Sequence, residues 1–178
     1  EEVERVRRTI DELSKENEKA LKEVEERIKK LSDENEKAVR KAEEDNERLN
    51  RTAERLKRSN VSEDTLRRIL EEVRRATEDL RRKLEDINRE LRERVKRLIE
   101  EIREINKRLD DELRRIEEEG VDEKVLRDIR KKIKENHEKN ERVIREIERL
   151  LKENEERNEE VIRRIKESNR KTEKDLTD

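Results

Sequence analysis

The chain reads as an all-α protein, an up-down-up antiparallel three-helix bundle of long, nearly straight helices, and three observations lead there. Apolar residues recur at helical spacing almost from end to end. Proline is absent and glycine occurs once, so nothing interrupts the backbone for tens of residues at a time. Two short punctuations match position by position: Asn60-Val61-Ser62-Glu63-Asp64-Thr65-Leu66 and Gly120-Val121-Asp122-Glu123-Lys124-Val125-Leu126. They divide residues 1–178, read as one domain, into helices over roughly 2–58, 63–118 and 123–176.

In the first helix, core-type residues fall at 3, 6, 10, 13, 17, 20, 24, 28, 31, 35, 38, 42, 46, 49, 53 and 56. That spacing is about 3.5 residues per turn, and the stripe spans roughly 100° of the helix. Ala20, Ala38, Ala42 and Ala53 are its small members and would allow close helix approach. The first connection then supplies its own stop and start. Asn60 tolerates the left-handed conformation that ends a helix. Ser62 is an N-cap whose side-chain oxygen accepts from a first-turn amide. Val61 and Leu66 flank it as a hydrophobic staple, and Glu63 and Asp64 suit the positive end of the helix dipole.

The second helix carries its stripe at 66, 69, 73, 77, 80, 84, 87, 91, 95, 98, 102, 105, 109, 113 and 116. The second connection repeats the grammar of the first, with Gly120 at the stop, Asp122 at the cap, and Val121 and Leu126 as the staple. The third stripe begins 126, 129, 133 and ends 165, 169, 172, 176. Both later stripes run close to 3.6 residues per turn and span roughly 140°, so supercoiling should be slight. Short reversals make sequential helices antiparallel neighbours. Residue i of the first helix should therefore lie near residue 122 − i of the second and i + 119 of the third, within about a turn.

Asparagine recurs at one spacing on all three stripes: Asn17 and Asn35, Asn88 and Asn106, Asn136 and Asn154. Each pair is 18 residues apart, five turns of an ideal helix, so both members face one way. The expected pairing of helices brings Asn17, Asn106 and Asn136 to one level and Asn35, Asn88 and Asn154 to another. Asn140 joins the first and Asn158 the second. A looser third level joins Asn46, Thr77 and Asn169, with Asn50 and Ser168 at its margin. A polar residue in an apolar seam is expensive, and its best-attested use is to fix register and partner.

Composition excludes several classes of activity. Charged residues make up 60% of the chain and hydrophobic ones 26%, with no aromatic residue, cysteine or methionine. Net charge is −2, and the signs are mixed evenly, which leaves no basic face for nucleic acid. No apolar run is long enough for a signal peptide or a membrane span, so the expectation is a soluble chain, cytoplasmic if expressed recombinantly. His137 is the single histidine, and one imidazole makes neither a metal site nor a triad. It projects to the stripe's edge, where a boundary surface role is expected. No catalytic residue, metal ligand or cofactor site is expected, and no partner is required.

The repeat Leu13-Ser14-Lys15-Glu16-Asn17-Glu18-Lys19-Ala20 returns as Leu31-Ser32-Asp33-Glu34-Asn35-Glu36-Lys37-Ala38. With the alternating Glu, Lys and Arg surface and the paired caps, it resembles computationally designed helical bundles with modular buried hydrogen-bond networks. That group includes designed heterodimers and latch-and-cage switches. The resemblance covers the whole chain and implies a structural scaffold with no natural biochemical activity. A natural spectrin-like repeat is the second resemblance, from which the chain departs in lacking tryptophan and in the regularity of its repeat. The alternative function is an interaction module that accepts a fourth helix, as a helical peptide, or self-associates. The doubled apolar positions Leu98-Ile99, Val143-Ile144, Leu150-Leu151 and Val161-Ile162, which widen two stripes, carry that alternative.

Overall fold

The computed structural model describes residues 2–177, with side-chain surroundings from residue 4 onward. Val3, expected to open the first stripe, lies outside the described side chains. Three helices account for the fold: α1 (Glu2–Arg58), α2 (Glu63–Glu118) and α3 (Glu123–Thr177). No strand occurs among the described residues. The chain is an all-α three-helix bundle.

Both connections end the preceding helix as the sequence requires, and they differ in how the next one starts. Asn60 has φ 53° and Gly120 φ 72°, the left-handed conformation in which a helix ends with least strain in those two residue types. Ser59 N donates to Arg55 O at 3.2 Å and Glu119 N to Arg115 O at 3.2 Å, which occupies carbonyls that the helix ends would otherwise leave bare. Ser62 Oγ accepts from Thr65 N at 3.3 Å, a side-chain cap. Asp122 differs. Its carbonyl accepts from Val125 N and Leu126 N, each at 3.0 Å, and its side chain makes no cap bond, so the first turn of α3 is closed by backbone alone. Val121 and Leu126 pack into one apolar cluster, as a staple should.

Contacts group into two compact units, Glu1–Lys30 with Glu93–Leu151, and Leu31–Arg92 with Lys152–Asp178. In the first unit, cross-helix pairs rise together along α1 and α3, with Asp11 on Lys132 and Glu18 on Lys139, so these segments run parallel. Glu117 with Arg130 and Asp110 with His137 run the other way, so α2 is antiparallel to α3. Its apolar cluster gathers Val6, Ile10, Leu109, Ile116, Leu126, Ile129 and neighbours. In the second unit the directions are the same, with Glu36 on Arg157, and Arg92 and Arg74 on Glu155 and Glu173. Two apolar clusters lie there, one around Val39, Leu84 and Val161, the other around Ala53, Val73 and Leu176.

The α1 stripe corrects the reading from sequence. Leu21 and Val39 are the buried residues, while Ala20 and Ala38 are only half-buried. Likewise Asn50 is buried and Leu49 half-buried. Where two neighbours were both eligible, the larger one, or the later one, faces the centre. The buried sets Val6, Val24, Ala42 and Asn17, Asn35, Ala53 each advance by 18 residues, so α1 keeps about 3.6 residues per turn like its partners. Val39 is wholly buried. Val39→Ala should cost about 2 kcal/mol through lost transfer energy and the space left behind. Ala38→Leu, at a half-buried site, should shift stability by less than that. Urea midpoints of the two variants check the assignment, and a larger loss for Ala38→Leu would restore Ala38 to the core.

The outer faces carry ion pairs that are largely exposed, each worth little in water. Two carboxyls still lie below their ordinary range. Asp11 is held down by its hydrogen bond from Lys132, and Glu78 by its hydrogen bond from Arg81. A carboxyl depressed by folding stabilises the fold above its unfolded value and loses that contribution as pH falls through the folded one. The thermal midpoint should therefore fall as pH drops through the acidic carboxylate range. Added salt should flatten the dependence. Circular dichroism melts across that range, with and without salt, check both.

Candidate functional site

In the first unit the three helices meet at one polar level. α1 brings Ser14 and Asn17, α2 brings Asn106, and α3 brings Asn136 and Asn140. Residues three or four apart on a helix share a face, so each pair points inward together. Asn17 and Asn140 are wholly buried. Asn17 Nδ2 donates to Asn136 Oδ1 at 3.5 Å, and Asn136 Nδ2 donates to Ser14 Oγ at 2.8 Å. Asn140 Nδ2 donates to Asn106 Oδ1. Asn106 was expected to meet Asn17 and Asn136; its bond is to Asn140, the residue at the centre of the α3 stripe. The Oδ1 atoms of Asn17 and Asn140 are buried with no protein donor.

The second unit repeats the residue set with Ser32, Asn35, Asn88, Asn154 and Asn158, and bonds it more completely. Asn35 Nδ2 donates to Asn158 Oδ1 at 3.0 Å, while Asn158 Nδ2 donates back to Asn35 Oδ1 at 2.8 Å. Asn158 Nδ2 also donates to Asn88 Oδ1, so amides from all three helices join in one set. Asn154, placed beside Asn35 and Asn88 by its spacing, instead donates to Ser32 Oγ at 3.0 Å. It stands one turn before the central Asn158 and is only half-buried, which turns it toward the α1 serine.

A third set lies further along the second unit. Asn50 Nδ2 donates to Ser168 Oγ at 2.9 Å and to Asn169 Oδ1 at 3.0 Å. Asn169 Nδ2 donates to Thr77 Oγ1, whose own hydrogen goes to Val73 O at 2.7 Å. Asn46, expected as the α1 member here, makes no hydrogen bond, and its buried Oδ1 is unpartnered. Asn50, one turn on, takes its place.

Sequence reasoning missed Ser14 and Ser32 as members of the layers. The signal was present in the repeated Leu-Ser-x-Glu-Asn, where serine precedes asparagine by one turn on the same face. These hydroxyls accept the amide hydrogens of Asn136 and Asn154, groups that would otherwise lack an acceptor.

Elsewhere the chemistry is sparse. His137 Nε2 lies 2.8 Å from Asp110 Oδ1 at the half-buried edge of α3, in a groove shared with α2. No group of three or more His, Cys, Asp or Glu that could hold a metal occurs among the described residues. No described helix is long and apolar enough to cross a membrane. Of the doubled apolar positions, Leu98, Ile99, Val143, Ile144 and Val161 are buried, and Leu150, Leu151 and Ile162 half-buried. No large hydrophobic side chain is exposed among the described residues.

The fold and its polar interior thus define a three-helix bundle with buried asparagine hydrogen bonds. No protein-family model matches the chain, and no curated protein matches it. Two chains among solved structures do. One is described as "Computationally designed three helix bundle", with 20% identity, 98% of this chain and 87% of that chain covered, and a TM-score of 0.43.

The bonding pattern separates two asparagines that look alike in sequence. Asn35→Ala strips both reciprocal bonds from Asn158 and should cost about 1–3 kcal/mol for the group left unpartnered. Asn46→Leu removes an amide whose oxygen has no partner and should be neutral or stabilising. Urea unfolding of both variants provides the comparison. Equal losses at the two sites would show that hydrogen bonding is not what distinguishes them.

Proposed function

We propose that the chain is a structural scaffold of designed type, in which buried asparagine layers specify helix register and packing, with no biochemical activity of its own. The joined set of Asn35, Asn158 and Asn88 carries this reading, because one amide from each helix takes part. Such a set is satisfied at one register only. A helix displaced by a turn keeps aliphatic surface against aliphatic surface but leaves amides without partners. Burial of five of the doubled apolar positions, with Leu150, Leu151 and Ile162 half-buried and none exposed, favours a self-contained bundle over a module awaiting a fourth helix. Mixed surface charge fits a molecule with no polyanionic partner.

Replacing Asn35, Asn88 and Asn158 together by leucine tests the reading. Aliphatic burial where amides had been should raise the urea midpoint, while the penalty on alternative assemblies disappears. Light scattering should then report mixed oligomers for the variant and a single 21.9 kDa species for the parent. A parent mass that is a multiple of the chain would favour self-association over the scaffold. A variant equally stable and monodisperse would remove the register role.

A further inference from the structure

The two repeated layers are built on one frame. In each, an α1 serine takes an amide hydrogen from the α3 asparagine 122 residues further on, Ser14 from Asn136 and Ser32 from Asn154. In each, the central α3 asparagine donates to the α2 asparagine, Asn140 to Asn106 and Asn158 to Asn88. Only the central amide of α1 differs. Asn35 pairs with Asn158, 123 residues away, through two bonds of 3.0 and 2.8 Å. Asn17 has Asn140 at that same offset, yet turns to Asn136, 119 residues away, through a single bond of 3.5 Å.

We propose that the first layer is a two-state amide switch, in which Asn17 alternates between Asn136 and Asn140 by rotation about its own side-chain bonds. The backbones need not move, because the flanking bonds of Ser14 and Asn106 are the ones made in the other layer too. Neither partner satisfies every oxygen. With Asn17 on Asn136, the Oδ1 atoms of Asn17 and Asn140 are buried and idle. With Asn17 exchanging bonds with Asn140, as Asn35 does with Asn158, both are occupied and Asn136 Oδ1 loses its donor. The second layer escapes this conflict because Asn154 is only half-buried and its oxygen can be hydrated, whereas Asn136 is 4% exposed. The two arrangements of the first layer thus differ by one idle oxygen, a difference on the scale of about tenfold in population, which leaves both occupied. The switch is independent of the scaffold reading, since it requires two partners for one amide and no particular role for the layer.

The experiment follows the side-chain amide resonances of Asn17 in the full chain and in two variants, Asn136→Leu and Asn140→Leu. Each variant leaves Asn17 a single partner and so traps one arrangement, and leucine keeps the interior filled so that the bundle still folds. The chain has no aromatic ring, so these shifts report hydrogen bonding without ring-current contributions. The two variants should give different single sets. The parent should show either both sets or one averaged set lying between them, while Asn35 shows one set throughout. A parent set that coincides with that of either variant means one partner only and overturns the switch. So does a pair of variants in which the Asn17 sets are the same.

Discussion

An amide buried in an aliphatic layer has to find its partner on another helix. The helix that carries it offers little, because its backbone N–H groups are already spent four residues apart and its carbonyls, though each can accept a second hydrogen, are reached from within by short hydroxyls. Hydroxyls escape this limit. Thr77 and Thr172 each donate to a carbonyl of their own helix, at 2.7 Å and 3.2 Å, and so can sit in the interior at little cost. Asparagine transmits its requirement outward to its neighbours. Failure to meet it costs about 1–3 kcal/mol, comparable with the whole gain from burying one aliphatic side chain. The 18-residue spacing repeats on all three helices and so sets such amides at shared levels.

The two repeated layers show how narrow the geometric margin is. Their residues are the same, yet Asn35 and Asn158 exchange hydrogen bonds in both directions whereas Asn17 turns to Asn136 and leaves its Oδ1 unpartnered. Each asparagine brings two amide hydrogens and an oxygen with two lone pairs, so donors and acceptors match in number and geometry decides which of them are used. Ser14 and Ser32 take up amide hydrogens of Asn136 and Asn154. The layer of the first unit holds the same inventory, but with two acceptor oxygens idle it contributes less than its counterpart.

The three-helix fold was legible from sequence because it rests on averages: apolar period, absence of breakers and doubled cap grammar. The levels of the asparagines were legible for the same reason, since a shared spacing of five turns does not depend on side-chain detail. What could not be read were choices between adjacent residues. Ala20 and Leu21, Ala38 and Val39, and Leu49 and Asn50 are 100° apart on a helix, and either member satisfies a coarse stripe. The same ambiguity placed Asn46 in the third set rather than Asn50. Amide direction was beyond reach altogether, because spacing fixes where a Cβ lies and not which way the group beyond it turns. Asp122 carries the related lesson that a residue ideal for side-chain capping caps only where the turn aims its oxygen at an amide; here the carbonyl does so instead.

Specificity has few other places to reside in this chain. The outer faces hold pairs such as Arg27 with Glu101, more than half exposed on both sides. Water and salt screen such pairs, and a shifted helix would meet a similar alternation of Glu, Lys and Arg. The aliphatic interior is equally forgiving, since without aromatic rings or methionine its layers are Leu, Ile, Val and Ala throughout. Burial of that kind supplies most of the stability and little discrimination between registers. In the scaffold reading proposed for this chain, the discrimination falls to the few side chains whose bonding has a direction, which would account for amides in positions where leucine would bind the helices more tightly.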